Sequence, residues 1–469
     1  MDFLPQLQQA LQKVQAWQDT YEPFDPHPST QVDDTAMARA IDQYTRRLRG
    51  NYPFFHPRYA GQMLKPPHPA AIVGYTAAMC INPNNHALDG GPPTGKMEKE
   101  VVRELADMVH YPDGSLGHLT TSGTLANLEA LWVARELHPS WAIAISDQAH
   151  YTHERMAQLL DVETVSIPTD AAGRMDLEAL EHALQEHKIG TVVVTAGTTG
   201  VAAVDPIADV LELRRRYGCR IHADAAYGGF FALLAWGDAA GPAALDADVR
   251  HHLRALARCD SVAIDPHKHG LQPYGCGAIL FYDRSVARLY KHDSPYTYFS
   301  SDDLHLGEIS LECSRAGAAA GALWLTLQVL PLAADEGLGP ILRACREAAV
   351  AWHGKLEEAP EVQTYLPPAL DIVTFFPTIE PPAARAIGQR SRAVFQQAMN
   401  SKEAPLFLSL LDVEAEALAG HIPELTIDQP TVPVLRSVLM KPEHATHVDT
   451  LHDALLHHLQ EVEQPSAAS

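Results

Sequence analysis

Residues 261–283, SVAIDPHKHGLQPYGCGAILFYD, place one lysine, Lys268, directly after a short apolar run. That run has the pattern of a buried strand, and a second apolar run ending at Phe281 could pair with it in the antiparallel direction. A buried lysine is unfavourable unless it is paired or loses its charge. Because an imine with a carbonyl compound removes that charge, the stretch favours a lysine that binds a carbonyl group.

Composition and charge restrict the class of protein. With 469 residues, of which 46% are hydrophobic and 20% charged, the chain is typical of a globular protein with two or three folded units. It has no run of eighteen apolar residues and no basic leader, so we expect neither a membrane span nor a signal peptide. Six scattered cysteines favour a reducing compartment, and the cytoplasm is the expected location. The net charge of −23 argues against binding to nucleic acid or to an acidic membrane surface.

Strand-like and helical segments alternate between residues 66 and 335. The strand-like segments are short, apolar and rich in β-branched residues: WAIAISDQ, ETVSIPT, GTVVVTAG, CRIHADAA and DSVAID. Helical stretches such as TLANLEALWVARELH lie between them. This alternation predicts a large α/β domain whose βαβ units form a mostly parallel sheet with helices on both faces.

The regions on either side of this domain have different patterns. Residues 1–65 are predicted to form a mainly helical segment. Residues 336–469 contain two strand-like runs, LDIVTFFP and VPVLRSVLM, and a final helical run, HVDTLHDALLHHLQEVEQ. These residues are predicted to form a smaller C-terminal α+β domain.

Two short motifs are candidates for anion binding. GGPPTGK, from Gly90, matches part of a nucleotide-binding loop, but Met97 stands where serine or threonine would contact magnesium, and two prolines remove backbone donors. We therefore interpret it as an ordinary loop. In TTSGTLANLEALWVAR, Ser122, Gly123 and Thr124 precede a helix, where they could either bind an anion or only cap the helix.

Asp224 lies in CRIHADAA near the C-terminal end of a strand, at the edge where open α/β sheets bind ligands. Lys268 follows with room for one helix and one further strand, so the two side chains could meet at this edge. A helix start, a carboxylate and a lysine together suit pyridoxal 5′-phosphate (PLP). The phosphate would bind the helix, the pyridinium nitrogen would pair with Asp224, and the aldehyde would form an imine with Lys268.

Five motifs, in this order, resemble those of the group II PLP-dependent amino acid decarboxylases, which include aromatic-L-amino-acid, tyrosine and glutamate decarboxylases. They are SDQAHYTHER, TAGTTG, HADAAYGG, DPHKHG and VPVLR, and the resemblance covers nearly the whole chain. It implies the PLP-dependent transferase fold type I, which is aspartate-aminotransferase-like, with a seven-stranded sheet. It also implies a homodimer with active sites at the subunit interface, in which residues 1–65 pack on the partner.

The resemblance implies roles for individual residues as well. His150 would stack on the cofactor ring, Ala226 would press on the other face, and Thr195 would hydrogen-bond near the ring hydroxyl. Contacts with the phosphate are assigned to Ser122, Gly123, Thr124 and His267. Asp265 stands where some relatives have asparagine, and its role is open because a carboxylate should repel a phosphate.

The stretch KHDSPYTYFSSDDLHLGEISLECSRAG resembles the family's mobile loop and the segment after it. A tyrosine of this loop would donate a proton to the substrate carbon, and Tyr298 is the predicted residue with Tyr296 as the alternative. Arg315 would bind a substrate carboxylate or, alternatively, form a surface salt bridge. No metal site is predicted, since the pairs His251–His252 and His457–His458 are interpreted as solvated helix faces.

The predicted reaction is decarboxylation of an L-amino acid to CO2 and a primary amine. The stretch YPFFHPRYAG favours an aromatic substrate such as tyrosine, tryptophan or DOPA, whereas Arg58 and His56 within it could bind an acidic one. An aldehyde synthase, a carbon–carbon lyase and an inactive PLP-binding protein are the alternatives. Lys268, Asp224 and His150 argue against the inactive protein.

Overall fold

The computed structural model describes residues 3–237, 241, 243–290 and 310–463, and its large sheet contains seven strands. They are β1 (Leu116–Thr120), β2 (Ala142–Ser146), β3 (Thr164–Ile167), β4 (Ile189–Thr195), β5 (Arg220–Asp224), β6 (Ser261–Ile264) and β7 (Gly277–Phe281). Their order across the sheet is β1-β7-β6-β5-β4-β2-β3. β7 runs antiparallel to β1 and β6, and the other neighbouring strands are parallel. The predicted mostly parallel sheet of seven strands is confirmed. The apolar run that ends at Phe281 is β7, and its predicted antiparallel pairing with β6 is confirmed as well.

Both faces of this sheet are covered, because side chains that alternate along a strand pack into different cores. In β2, Ala142 and Ala144 belong to one hydrophobic core, whereas Ile143 and Ile145 belong to another. Strands buried on both faces need continuous apolar runs, which explains the composition of the segments from which the sheet was predicted.

Helices precede the sheet, connect its strands and follow its last strand. They are α1 (Leu4–Gln18), α2 (Asp34–Leu48), α3 (Pro69–Met79), α4 (Pro92–Met108), α5 (Gly123–Leu137), α6 (Thr152–Leu159), α7 (Leu177–Glu186), α8 (Ile207–Tyr217), α9 (Ala232–Trp236), α10 (Ala247–Arg254), α11 (Ala287–Tyr290) and α12 (Gly317–Val329). Within the part of the chain that the structure describes, no helix is long and apolar enough to cross a membrane.

A second, antiparallel sheet follows α12 in the chain. Its strands are β8 (Val362–Leu366), β9 (Ile372–Pro377), β10 (Ser409–Glu414) and β11 (Thr431–Val438), in the order β10-β11-β9-β8. The helices of this region are α13 (Leu338–Glu358), α14 (Ala384–Asn400), α15 (Ala415–Ala419) and α16 (Val448–Glu463). The small C-terminal α+β unit is therefore present, with Trp352 fully buried in its core. The boundaries 1–65, 66–335 and 336–469 stay predictions.

The interpretation of GGPPTGK as a loop is wrong for most of its length. α4 begins at Pro92, so the motif from Pro92 onward is helical. Proline suits the first positions of a helix, because the missing N–H would have had no acceptor there and the ring fixes a helical φ. The two prolines therefore indicate a helix start, which the sequence interpretation overlooked.

Gly277 allows the start of α5 to approach β7. A Cβ atom on Gly277 would lie 2.5 Å from the carbonyl carbon of Ser122 and 2.9 Å from the amide nitrogen of Gly123. Because main-chain atoms cannot rotate away, we predict that Gly277→Ala lowers the free energy of unfolding by about 1–3 kcal/mol. Denaturant unfolding measures this change.

The matched control for this prediction is Gly354→Ala. Gly354 lies within α13, and nothing is close to the position of an added Cβ. Alanine should therefore stabilise that helix by roughly 0.5–1 kcal/mol. A Gly277→Ala protein as stable as the parent would contradict the close approach of α5.

Candidate active site

Strands β4, β5 and β6 lead to a cavity of about 190 Å³. Thr195 and Asp224 end β4 and β5, and Lys268 lies in the turn after β6. The cavity is lined by all nine residues predicted to bind the cofactor: Ser122, Gly123, Thr124, His150, Thr195, Asp224, Ala226, His267 and Lys268. Asn127, Thr152, Gly197, Thr199, Tyr227 and Asp265 complete the lining. The structure therefore brings the predicted residues together, and their individual roles stay predictions.

The carboxylate of Asp224 accepts hydrogen bonds on both oxygens. Asn127 Nδ2 and His153 Nε2 donate to Oδ2 at 3.1 and 2.9 Å, and the Ala226 N–H donates to Oδ1 at 3.1 Å. Burial by itself would raise the pKa of Asp224, but the hydrogen bond and charge of His153, together with the charge of Lys268, bring that pKa well below its ordinary value. Asp224 is therefore ionised and can pair with a protonated ring nitrogen.

A chain of buried polar groups stands behind Asn127. His222 Nε2 lies 2.8 Å from Asn127 Oδ1, and His222 Nδ1 lies 2.9 Å from Ser261 Oγ. Burial, followed by the charge of His153, lowers the pKa of His222 to about 3, so this ring is neutral at physiological pH. The amide oxygen only accepts, so His222 must donate from Nε2. This fixes the Asn127 amide with its N–H directed to Asp224.

Sequence reasoning missed Asn127 and His153, and only Asn127 has a helical signal. Asn127 lies four residues after Gly123 on α5, whereas His150 precedes α6 and only His153 belongs to it. Residues four apart on one helix share a face. Polar residues one turn beyond a predicted cavity residue could therefore have been predicted to face the same site.

Lys268 has a partner within the cavity. Its Nζ lies 3.2 Å from Oδ2 of Asp265, and His267 Nε2 lies 3.4 Å from the same oxygen. His267 Nδ1 donates to the carbonyl oxygen of Cys276 at 2.8 Å, and burial lowers the pKa of this histidine. Asp265, whose role was open, therefore supplies a counter-charge for Lys268.

The start of α5 lies beside this carboxylate. Ser122 caps the helix, and its hydroxyl accepts a hydrogen bond from Leu125 N–H at 3.3 Å. The capping alternative is thus observed, but the amides of Gly123 and Thr124 belong to the first turn and have no acceptor within the helix. A Cβ on Gly123 would lie 2.7 Å from Asp265 Oδ2, so the close approach requires glycine.

His150 and Thr195 bring further polar groups to the cavity. His150 Nδ1 lies 2.8 Å from the hydroxyl of Thr152, and burial lowers the pKa of the half-buried ring. Thr195 donates its main-chain N–H to Asp205 at 2.7 Å, while its buried hydroxyl has no hydrogen-bond partner among the described residues. An unpartnered hydroxyl fits a cofactor hydroxyl. Together with the helix start, the ionised carboxylate and the lysine, it makes the cavity suitable for PLP.

Comparison with known proteins agrees with this chemistry. The pyridoxal-dependent decarboxylase conserved domain matches residues 53–376. The chain belongs to this family. The enzyme is 29% identical to the L-tyrosine decarboxylase of Enterococcus faecium, over 73% of this chain and 72% of that relative. It is 28% identical to the probable L-aspartate decarboxylase of Thermococcus gammatolerans, over 73% of this chain and 85% of that relative.

Two solved structures share the fold of this decarboxylase. Mouse CSAD has a TM-score of 0.77 at 20% identity, and the match covers 97% of this chain and 92% of the CSAD chain. Oryza sativa TDC with PLP and tryptamine has a TM-score of 0.77 at 18% identity and covers 98% of both chains. Family membership and fold together make the protein a PLP-dependent amino acid decarboxylase, a carboxy-lyase.

Arg315 of the decarboxylase does not line the described cavity. Its guanidinium forms an ion pair with Glu98 and donates to the carbonyl oxygens of Leu119 and Asn85, each at 2.9 Å. The salt bridge that the sequence offered as an alternative therefore exists, but it is buried and not at the surface. Substrate binding by Arg315 stays a prediction.

The two loop tyrosines, Tyr298 and Tyr296, lie outside the described residues. Proton donation by either one stays a prediction.

The interpretation of the histidine pairs as solvated helix faces is wrong for one member of each pair. His252 and His458 are buried, and His458 Nε2 donates to the carbonyl oxygen of Ala404 at 2.7 Å. His457, His458 and Glu461 also place three ligand atoms within 4.8 Å of one another on α16, a grouping that the sequence interpretation missed.

Asp224→Asn tests the ionised carboxylate. A neutral amide cannot keep the ring nitrogen protonated, so we predict that turnover falls by about a hundredfold or more. Amine release at saturating substrate measures the loss. His153→Leu is the graded control, because it removes one hydrogen-bond donor and leaves the carboxylate of Asp224. It should lower turnover by roughly tenfold. Parental turnover in Asp224→Asn would contradict the pairing of this residue with the ring nitrogen.

Proposed function

We propose that the enzyme decarboxylates an aromatic L-amino acid such as tyrosine, tryptophan or DOPA, releasing CO2 and the primary amine. The observation that carries this proposal is the composition of the cavity. Among the described residues of a single chain, the one lysine of this lining, Lys268, is assigned to the cofactor, and no arginine is present that could bind a second, side-chain carboxylate. An acidic substrate would need such a cation, whereas an aromatic side chain would not.

Three arginines outside the cavity lining are directed to oxygens of the protein itself. Arg58 donates to the carbonyl oxygen of Pro405 at 3.1 Å, and Arg315 pairs with Glu98. The buried Arg436 of β11 donates to the carbonyl oxygen of Thr199, which lines the cavity, at 2.6 Å. Each guanidinium therefore has a structural partner, which supports an aromatic substrate over an acidic one.

The names of the relatives support two substrate classes. L-tyrosine decarboxylases of Enterococcus faecium and Levilactobacillus brevis are 29% and 27% identical to this chain. The Pyrococcus horikoshii relative, at 26% identity, is named L-aspartate/L-glutamate decarboxylase. Acidic amino acids are therefore the second candidate, and the cavity composition is our reason for ranking them second.

The residues of the chain divide the work of the reaction. PLP, when bound, supplies the electron sink that accepts the electron pair of the broken Cα bond. Lys268 would hold the cofactor, Asp224 would keep its ring nitrogen protonated, and the start of α5 would bind its phosphate. His150 Nδ1 is engaged by Thr152, which leaves Nε2 to contact ligand. If the protein holds the bond from Cα to the carboxylate perpendicular to the plane of the cofactor, that bond would break in preference to the other bonds at Cα.

Proton delivery is assigned to the loop tyrosines. Tyr298, or Tyr296 in its place, would donate the phenolic proton to the substrate carbon after CO2 has left. Phenol groups hold their proton at neutral pH and can act as general acids when they are positioned against the reacting atom.

The substrate is tested by measuring CO2 and amine release from each of the twenty amino acids. We expect turnover of aromatic amino acids to exceed that of aspartate and glutamate by at least about a hundredfold, because an unpaired carboxylate would have to be desolvated in the cavity. Lys268→Ala serves as the blank. Faster turnover of aspartate or glutamate would contradict the aromatic assignment and favour the second candidate.

The proposal includes a cytoplasmic homodimer. All six cysteines are free thiols, as expected for a reducing compartment. α2 has no buried residue within the chain, yet Met37, Ile41, Tyr44 and Leu48 form an exposed apolar stripe at helical spacing. A helix with such a stripe is normally packed against another surface. A second copy of the chain is the partner that we propose for this stripe.

The dimer is tested by replacing one residue of the stripe. Ile41→Asp places a charge in the proposed interface and should shift the protein from dimer to monomer in light scattering after size-exclusion chromatography. Gln43→Asp, on another face of the same helix, adds the same charge and should leave the dimer intact. A monomeric parent protein, or an intact Ile41→Asp dimer, would contradict the proposed interface.

A further inference from the structure

Asp371 reaches from the small sheet to the catalytic edge of the large sheet. It is fully buried and stands directly before β9. The hydroxyl of Tyr227 donates to Asp371 Oδ1 at 2.6 Å, and His269 Nε2 lies 3.2 Å from Oδ2. Tyr227 belongs to the turn after β5, the strand that ends at Asp224. His269 belongs to the turn after β6. One carboxylate therefore joins the two turns that hold the predicted cofactor contacts.

Leu370 extends this contact to the turn after β4. A Cβ on Gly197 would lie 3.1 Å from Leu370 Cδ1, and one on Gly228 would lie 3.0 Å from the same atom. The main chain here is itself held in place, because Arg346 donates to the Leu370 carbonyl oxygen at 3.2 Å. A fixed segment of the small sheet thus packs on three successive turns at the edge of the large sheet.

His269 follows Lys268 directly, and the two side chains have different surroundings. Lys268 lines the cavity, whereas the His269 ring is fully buried, with ring centroids of Tyr227 and Phe231 at 4.9 and 5.1 Å. The main-chain N–H of Lys268 donates to the carbonyl oxygen of Asp265 at 2.9 Å, which closes a tight turn. A displacement of His269 would therefore move the backbone from which Lys268 projects.

We propose that Asp371 is a positioning residue for Lys268: it holds His269 and Tyr227 and thereby aligns the lysine with Asp224 across the cavity. The charge of Asp371 contributes to this role. Burial by itself would raise the pKa of Asp371, but the nearby His269 and the hydrogen bond from Tyr227 bring that pKa below its ordinary value. The proposal rests on PLP dependence and is independent of which amino acid is the substrate.

Asp371→Asn tests the proposal, because it keeps the size of the side chain and removes its charge. Cofactor-free enzyme is titrated with PLP while the yellow absorbance of the lysine-bound cofactor is followed, and kcat and KM are then measured. We expect the affinity for PLP and kcat each to fall by about tenfold or more with KM nearly unchanged, since small displacements of a reacting group have effects of this size.

Glu129→Gln is the matched control. Glu129 is also a buried carboxylate between a histidine and a tyrosine, with His118 Nε2 and the Tyr290 hydroxyl each at 2.8 Å. It does not line the cavity. Glu129→Gln should lower the melting temperature as Asp371→Asn does, because both leave buried groups without their charged partner. It should leave PLP affinity and absorbance at parental values.

His269→Gln is the second variant, and it provides the test if Asp371→Asn does not fold. It removes the contact next to Lys268 and should also weaken PLP binding and lower kcat. Parental PLP affinity and absorbance in the folded variants would overturn the proposal. So would an equal loss of PLP affinity in Glu129→Gln, since the effect would then be general destabilisation.

Discussion

The carboxylate of Asp224 stays ionised inside the protein because three N–H groups donate to it. These donors come from α5, from α6 and from the turn after β5, so the chemistry of the site depends on how closely the helices pack on the sheet edge. A parallel sheet brings the C-terminal ends of its strands to one edge, and helix starts lie at the same edge. The fold therefore supplies both the buried carboxylate and the groups that keep it charged.

The other titratable groups of the cavity complement this arrangement. The pKa values of His150 and His267 are lowered by burial, so both rings are neutral near physiological pH. Lys268 is accompanied by Asp265, and Asp224 by its three donors. Lys268 thus has a carboxylate beside it and Asp224 has three hydrogen-bond donors, which is the condition under which such groups are tolerated in a protein interior.

The sequence predicted the large sheet well because its central strands are continuous apolar runs. β1 was not predicted, since Gly117 and His118 interrupt its apolar pattern. Gly117 is required by packing, because a Cβ there would lie 2.7 Å from the carbonyl oxygen of Ile279. β8 and β10 were missed because they are only partly buried and have a weaker apolar pattern.

The site was predictable to the extent that its residues lie in short motifs at strand ends and at a helix start. The contacts of residues beyond these motifs could not be predicted, because their partners are distant in sequence. Arg315 lies more than two hundred residues from Glu98, and Asp371 lies more than one hundred from Tyr227. No local periodicity indicates such a pair, since it exists only after the chain has folded.

Asp265 gives the protein its own counter-charge for Lys268. The ammonium group does not need a carbonyl compound to be tolerated in its partly buried position. Asp265 can therefore hold the lysine side chain in the cavity before PLP is bound, so that the site is already arranged for the cofactor.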